Sequence, residues 1–212
     1  MVKIGINGFG RIGRLVLRAI LENYNDKIQV IAINDLGSVE TNAHLIKYDS
    51  THGILNDEVT TTDDSLKIGK QKIKVFAERD PEKLPWGKLG VQVVLECTGL
   101  FLDKISAGKH IKAGAKKVII SAPGKDVDFT LVQGVNNKEL KKDHNIISNG
   151  SCTTNCLAPV AMVLEKNFGI KYGYMTTIHS YTGDQNLLDT LHKDLRRARS
   201  TEGAMIPTST GA

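Results

Sequence analysis

The sequence predicts an α/β protein built on a parallel β-sheet with helices on both faces. Three observations carry this prediction. Short β-branched runs alternate with helical apolar spacing, a glycine-rich turn joins the first run to the first helix, and an acid closes the second run. Repeated strand–helix–strand units stack their strands in parallel.

In chain order, strands are expected at residues 2–6, 28–33, 91–95, 118–120 and 146–147. Between the first two, Ile12, Leu15, Val16, Ala19 and Ile20 recur at helical spacing, with Arg11, Arg14, Arg18 and Glu22 on the opposite face. Residues 60–85 are more polar, and "LKIGKQKIKVFAE" alternates like an antiparallel hairpin turning at Gly69-Lys70, an insertion at the sheet edge. Beyond residue 150 the pattern changes. A small polar stretch leads into Val160, Val163 and Leu164, then a β-like run, "YMTTIHSYT", and an arginine-bearing segment ending "PTSTGA". The expected organisation is one domain over residues 1–150 and an incomplete second over 151–212.

The bulk properties narrow the function classes. The 212 residues are 41% hydrophobic and 24% charged, ordinary for a globular protein. The net charge of +5 suits small anionic ligands such as phosphates. Its basic clusters, Lys116-Lys117, Lys141-Lys142 and Arg196-Arg197 with Arg199, are short and lack interleaved aromatics, so nucleic acid is not indicated as a partner. Neither a signal peptide nor a membrane span is expected, and three cysteines leave one unpaired, which suits a reducing cytoplasm.

The turn "GINGFGRIGR" holds Gly8, Gly10 and Gly13 between a predicted strand and a predicted helix. One glycine permits the tight turn, one lets the backbone approach a pyrophosphate, and one lets helix and strand pack closely. The helix N-terminus adds free N–H groups and positive dipole. The second strand ends in Asn34-Asp35, about 20 residues on, where a carboxylate accepts from ribose hydroxyls and repels a 2′-phosphate, favouring NAD over NADP. Later strand ends, "ECTGLF" and "ISAPG", open on the same crevice, making Thr98, Gly99 and Ser121 candidate cofactor contacts. Read alone, all these glycines and hydroxyls are also ordinary turn chemistry.

In "SNGSCTTNCLAP", Cys152 and Cys156 could be metal ligands, a redox pair, or a nucleophile and a neighbour. Metal binding needs further ligands, and the histidines are scattered without zinc-site spacing. A disulfide four residues apart on one helix is geometrically awkward. The hydroxyl residues around Cys152 read as a helix start, where dipole and free N–H groups lower a thiol pKa. Cys156, one turn in, reads as a small buried hydrophobe. Pro159 predicts a kink, or a helix beginning at Pro159 instead. A thiolate needs a base, and His179 lies in a predicted strand, where a histidine taken alone is more often structural.

The ordered set "INGFGRIGR", "AIND", "ECTG", "SAP", "SCTTNCLAP", "HSYTGDQ", "DLRRAR" and "PTSTGA" resembles the phosphorylating glyceraldehyde-3-phosphate dehydrogenases, over residues 1–212. The resemblance implies a Rossmann dinucleotide-binding domain followed by the first part of an α+β catalytic domain, with NAD as cofactor and a homotetramer at full length. It implies Cys152 as the nucleophile toward glyceraldehyde 3-phosphate and His179 as its base, giving a thiohemiacetal and then a thioester. Inorganic phosphate releases 1,3-bisphosphoglycerate.

By the same resemblance, Gly8, Gly10, Arg11, Ile12, Asp35, Arg79, Thr98, Phe101 and Ser121 contact the cofactor. Ser151, Thr153, Thr210 and Gly211 surround the attacking phosphate, and Thr182 and Arg199 the substrate phosphate. Two departures stand out: Gly150 where the family commonly has alanine, and Thr190-Leu191 where many NAD-dependent members have Leu-Pro. The family's catalytic domain continues beyond this stretch, so negligible turnover is expected of the 212 residues alone. The alternatives are an erythrose-4-phosphate dehydrogenase of the same superfamily and a non-catalytic NAD- or RNA-binding module.

Overall fold

A computed structural model describes every residue except Ala204. The chain forms two compact units, Met1–Ser151 and Cys152–Ala212.

In the first unit, β1 (Val2–Asn7) leads through the glycine turn into α1 (Arg11–Asn23), and β2 (Ile28–Asn34) returns beside β1. Then follow α2 (Val39–Lys47) and the short antiparallel pair β3 (Tyr48–Asp49) and β4 (Gly53–Ile54). Next come β5 (Val59–Thr62), β6 (Ser65–Ile68), β7 (Gln71–Phe76) and α3 (Trp86–Leu89). The unit continues with β8 (Val93–Glu96), α4 (Lys104–Ala107), α5 (Lys109–Lys112), β9 (Lys117–Ile120), β10 (Phe129–Thr130) and β11 (Ile146–Ser148). One sheet gathers nine strands in the order β10-β11-β9-β8-β1-β2-β7-β6-β5. Pairing is parallel from β10 to β7 and antiparallel only across β7-β6-β5, whose β6–β7 turn falls at Gly69-Lys70 as the alternation predicts.

Each sheet face has its own core. On one, Ile4 and Ile6 of β1 and Val30 and Ile33 of β2 pack with Leu17 and Ile20 of α1. On the other, Ala32, Val91, Val94 and Ala115 surround Trp86. Gly5 is the meeting point: a Cβ there would lie 2.8 Å from the Trp86 ring, so only glycine lets the indole reach the central strand.

Helix α1 departs from its simple amphipathic reading. Ile12 is exposed, whereas Arg18 is buried and donates from Nη2 to the carbonyls of Ile46 (2.8 Å), Lys47 (3.1 Å) and Gly53 (3.0 Å). Ile46 and Lys47 end α2, so the guanidinium satisfies carbonyls that the helix leaves open and sits at the negative end of its dipole. A helical wheel counts arginine as solvent-facing and has no means of seeing these distant acceptors.

The second unit holds α6 (Cys152–Phe168), which runs through Pro159 rather than beginning there. It stops at Gly169, whose φ of 72° suits a helix end and whose N–H returns to the Glu165 carbonyl at 3.0 Å. The run at 174–182, expected as a strand, forms none. Extended chain becomes a strand only when a neighbour pairs its backbone, and no such neighbour lies among the described residues. No helix among the described residues is long and apolar enough to cross a membrane.

Replacing Arg18 with Met strands several buried carbonyls, and we expect it to destabilise the first unit by about 2 kcal/mol. Trp86 is the only tryptophan and is fully buried, so its emission during urea unfolding reports the change. An unchanged midpoint would contradict the capping role.

Candidate functional site

The carboxyl ends of β1, β2 and β8 open on a cavity of about 360 Å³. Its walls come from four segments: Asn7 to Gly10, Asn34 to Leu36, Glu78-Arg79 and Cys97 to Phe101. Sheet register explains the grouping, since Asn7 pairs with Asn34 on one side and with Glu96 on the other. Three polar residues therefore end three adjacent strands on one rung.

The three glycines of the turn do different things. Gly8 has φ 89°, and a Cβ on it would lie 2.7 Å from the Thr98 nitrogen. A Cβ on Gly13 would lie 2.2 Å from the Gly8 carbonyl oxygen, so only glycine lets α1 press against the turn. A Cβ on Gly10 would meet nothing within 4 Å. Gly10 is also the N-cap of α1, without a side chain to satisfy the first-turn N–H groups, and it lines the cavity. Between them Phe9 is fully buried and pins the turn to the core.

Asp35 braces the turn from β2. Its Oδ2 accepts from the Phe9 N–H at 2.8 Å and its Oδ1 from the Gly37 N–H at 2.9 Å, leaving further lone pairs toward the cavity. Arg79 and Phe101 line the same space, Phe101 edge-on to His110. Arg11 instead pairs with Asp49 at 2.9 Å. The N–H groups of His52 and Thr51, followed by Arg11, hold that aspartate well below the usual carboxylate range. Ile12, Gly13, Gly99 and Ser121 lie outside the lining. Gly99, at φ 74°, faces open space, and Ser121 hydrogen-bonds Cys97.

Beneath this floor lies a buried chain of polar side chains that motif reading overlooks. Glu96 accepts from Asn7 Nδ2 (2.6 Å), from the Thr98 N–H (2.8 Å) and from the Thr98 hydroxyl, and it meets His110 Nε2 at 2.9 Å. Asn34 Nδ2 donates to Asn7 Oδ1 (2.7 Å) and to the Glu78 carbonyl (2.8 Å). A carboxylate or amide closing an otherwise apolar strand was the available signal.

In the second unit, Cys152 opens α6 and its sulfur lies 3.0 Å from His179 Nε2. The other ring nitrogen, Nδ1, is 2.6 Å from the Ser180 carbonyl, an acceptor only, which assigns a proton to Nδ1 and turns Nε2 to the thiol. Partial burial alone would raise the Cys152 thiol. The His179 hydrogen bond and charge, with the N–H and hydroxyl of Thr153, outweigh it and hold the thiol below its ordinary value. The Ser180 carbonyl first, then the Cys152 sulfur, hold the His179 imidazole above its own. Both shifts favour a thiolate–imidazolium pair.

The other two thiols differ. Burial pushes Cys97 up to about 11, against a hydrogen bond from Ser121. Cys156, expected to be buried, is exposed, because nothing among the described residues covers that part of α6.

The candidate phosphate residues have other partners here. The Thr182 N–H donates to Gln185 Oε1 at 3.2 Å, and Arg199 pairs with Asp189 at 2.9 Å with its side chain 74% exposed. Thr153 is buried, Thr210 Oγ1 accepts weakly from the Ala212 N–H at 3.4 Å, and Ser151 and Gly211 flank these two threonines in the chain.

Residues 2–104 match the family model for the NAD binding domain of glyceraldehyde 3-phosphate dehydrogenase, and residues 151–212 match that for its C-terminal domain. The whole chain aligns with curated glyceraldehyde-3-phosphate dehydrogenases, at 57% identity to that of Xanthobacter flavus, 58% to enzyme 1 of Bacillus cereus and 57% to that of Pseudomonas aeruginosa. It spans 63–64% of the length of these relatives. A glycine turn opening on a cleft at the strand ends, a cysteine–histidine pair at a helix start, and two matched domains in order agree: the chain belongs to the glyceraldehyde-3-phosphate dehydrogenase family.

Proposed function

We propose that this chain carries the cofactor site and the nucleophile of a phosphorylating, NAD-dependent oxidation of glyceraldehyde 3-phosphate to 1,3-bisphosphoglycerate. The observation that carries the reading is the 3.0 Å contact between Cys152 Sγ and His179 Nε2, with Nδ1 held by a backbone carbonyl.

The first unit fits NAD. Gly10 leaves open space before uncapped first-turn N–H groups, which suits a diphosphate, and Asp35 has lone pairs for ribose hydroxyls. Arg79, Thr98 and Phe101 complete the walls that would hold it. Bound there, NAD supplies the hydride acceptor for the oxidation.

The chain's own residues do the remaining work. The Cys152 thiolate attacks the aldehyde carbon, forming the C–S bond as the C=O π bond opens, and the His179 imidazolium gives its Nε2 proton to that oxygen to complete a thiohemiacetal. His179 Nε2 takes the hydroxyl proton as that carbon is oxidised, and the carbon stays on Cys152 as a thioester. Inorganic phosphate then displaces the thiolate, with Ser151, Thr153, Thr210 and Gly211 proposed as its donors. Thr182 and Arg199 are proposed to hold the substrate's own phosphate. Arg199 is free to do so cheaply, because an ion pair as exposed as that with Asp189 contributes only about 0–1 kcal/mol.

Substrate protection tests this without requiring turnover. Iodoacetamide should alkylate Cys152 at least about tenfold faster than Cys156 at neutral pH, and His179→Ala should remove most of the difference. Glyceraldehyde 3-phosphate, by forming the thiohemiacetal, should slow Cys152 alone; equal rates at both cysteines would contradict the nucleophile reading. Better protection by erythrose 4-phosphate would redirect the substrate assignment.

The glycines give a paired test of the cofactor site. Gly10→Ser keeps a favourable N-cap and should leave stability within about 0.5 kcal/mol while weakening NAD binding about tenfold or more. Gly13→Ala should instead destabilise the fold by about 1–3 kcal/mol, because its Cβ collides with the Gly8 carbonyl. Calorimetric titration and urea unfolding separate the two, and undiminished NAD affinity in Gly10→Ser would contradict the placement.

A further inference from the structure

Resting on the dinucleotide reading above, we propose that the buried Glu96 carboxylate is the positioning residue of the cofactor cavity, fixing all four of its walls through one directional hydrogen-bond chain.

The direction follows from donor inventory. The Trp86 Nε1–H can only donate, so its 2.9 Å bond to His110 Nδ1 makes that nitrogen an acceptor. The His110 proton then sits on Nε2, facing Glu96 at 2.9 Å. Glu96 thus receives from His110, from Asn7, and from the N–H and hydroxyl of Thr98. The His110, Asn7 and Thr98 N–H groups can only donate here, and the Thr98 hydroxyl, which accepts from Leu100, has a proton to give; an ionised carboxylate accepts from all four.

That carboxylate sets everything downstream. Because Asn7 gives its amide N–H to Glu96, its Oδ1 is left to accept from Asn34. Asn34 in turn grips the Glu78 backbone at both ends, Nδ2 to O and N–H to Oδ1, each at 2.8 Å. On the other side, the Thr98 hydroxyl gives its proton to Glu96 and accepts from the Leu100 N–H at 3.0 Å. Asn7, Asn34, Glu78 and the Thr98–Leu100 turn stand one in each wall of the cavity. Neither Glu96 nor His110 lines it, and both side chains are fully buried. Burying a carboxylate is unfavourable, and an apolar strand end would pack as well, so the fold gains geometry rather than stability from it.

Glu96→Gln is the isosteric probe. Whichever way its amide turns, an N–H₂ confronts donors on one side. Leu66→Ala serves as the control, since it loosens the core at a fully buried residue of β6 that belongs neither to the chain nor to the cavity lining. NAD affinity by calorimetry and unfolding by Trp86 emission are measured for the parent and both variants. We expect Glu96→Gln to bind NAD about tenfold more weakly than a Leu66→Ala protein of similar midpoint. The parent chain supplies a second readout. The His110 Nε2–H proton resonance should shift by more than its linewidth on NAD saturation, although His110 does not line the cavity.

Parent binding with Glu96→Gln and Leu66→Ala within about twofold of each other overturns this inference alone. A stationary His110 resonance at saturation does the same, even should Glu96→Gln fail to fold. Absence of NAD binding by the parent overturns the dinucleotide reading, and this inference with it.

Discussion

The tightest constraint in the first unit is the passage from β1 into α1. The chain must leave the central strand and start a helix across Gly8, Phe9 and Gly10, with Gly8 against the Cys97-Thr98 backbone and Gly13 against the Gly8 carbonyl. No side chain fits at either contact. Because backbone meets backbone there, the uncapped N-terminus of α1 is held at the rim of the cavity, and Asp35 can reach across to brace the Phe9 N–H. The parallel sheet supplies the crevice, and these contacts bring the first-turn N–H groups of α1 to its rim.

The second unit solves a different problem, keeping a thiolate available in water. Three cysteines show how environment sets reactivity. Cys97 is buried and raised, Cys156 is exposed on a helix face, and Cys152 sits at a helix start beside a histidine whose orientation a carbonyl fixes. Only the last combines access with positive charge and N–H donors, the conditions under which a thiol loses its proton readily. The shifts on Cys152 and His179 run in opposite directions, and both favour the pair in which sulfur is anionic and imidazole cationic.

Local patterns were legible where one segment determines its own structure. The five expected strands fall within a residue or two of their β-branched runs, whereas the short parallel strand β10 went unread, and the Gly69-Lys70 turn lies where alternation reverses. The glycines of the turn were legible as well: Gly8 and Gly13 answer steric demands that no other residue meets, and Gly10 leaves open space at the helix start. What was hidden depends on distant partners. Arg18 looks solvent-facing until carbonyls from α2 and from Gly53 close over it, and Glu96 looks like an ordinary strand end until Asn7, Thr98 and His110 converge. The run at 174–182 has strand composition, yet a strand is a property of a pair. Cys156 was misread for the same reason, burial being decided by a neighbour rather than by the helix that carries the thiol.

The central claim is that Cys152 and His179 form a thiolate–imidazolium pair. Thiolate absorbance near 240 nm, titrated in the chain and in Cys152→Ser, isolates the ionisation of that one sulfur. A thiolate–imidazolium pair gives a difference step well below the unperturbed cysteine pKa of about 8.5, moved upward by His179→Ala. A step at or above that value, or one indifferent to His179, would contradict it.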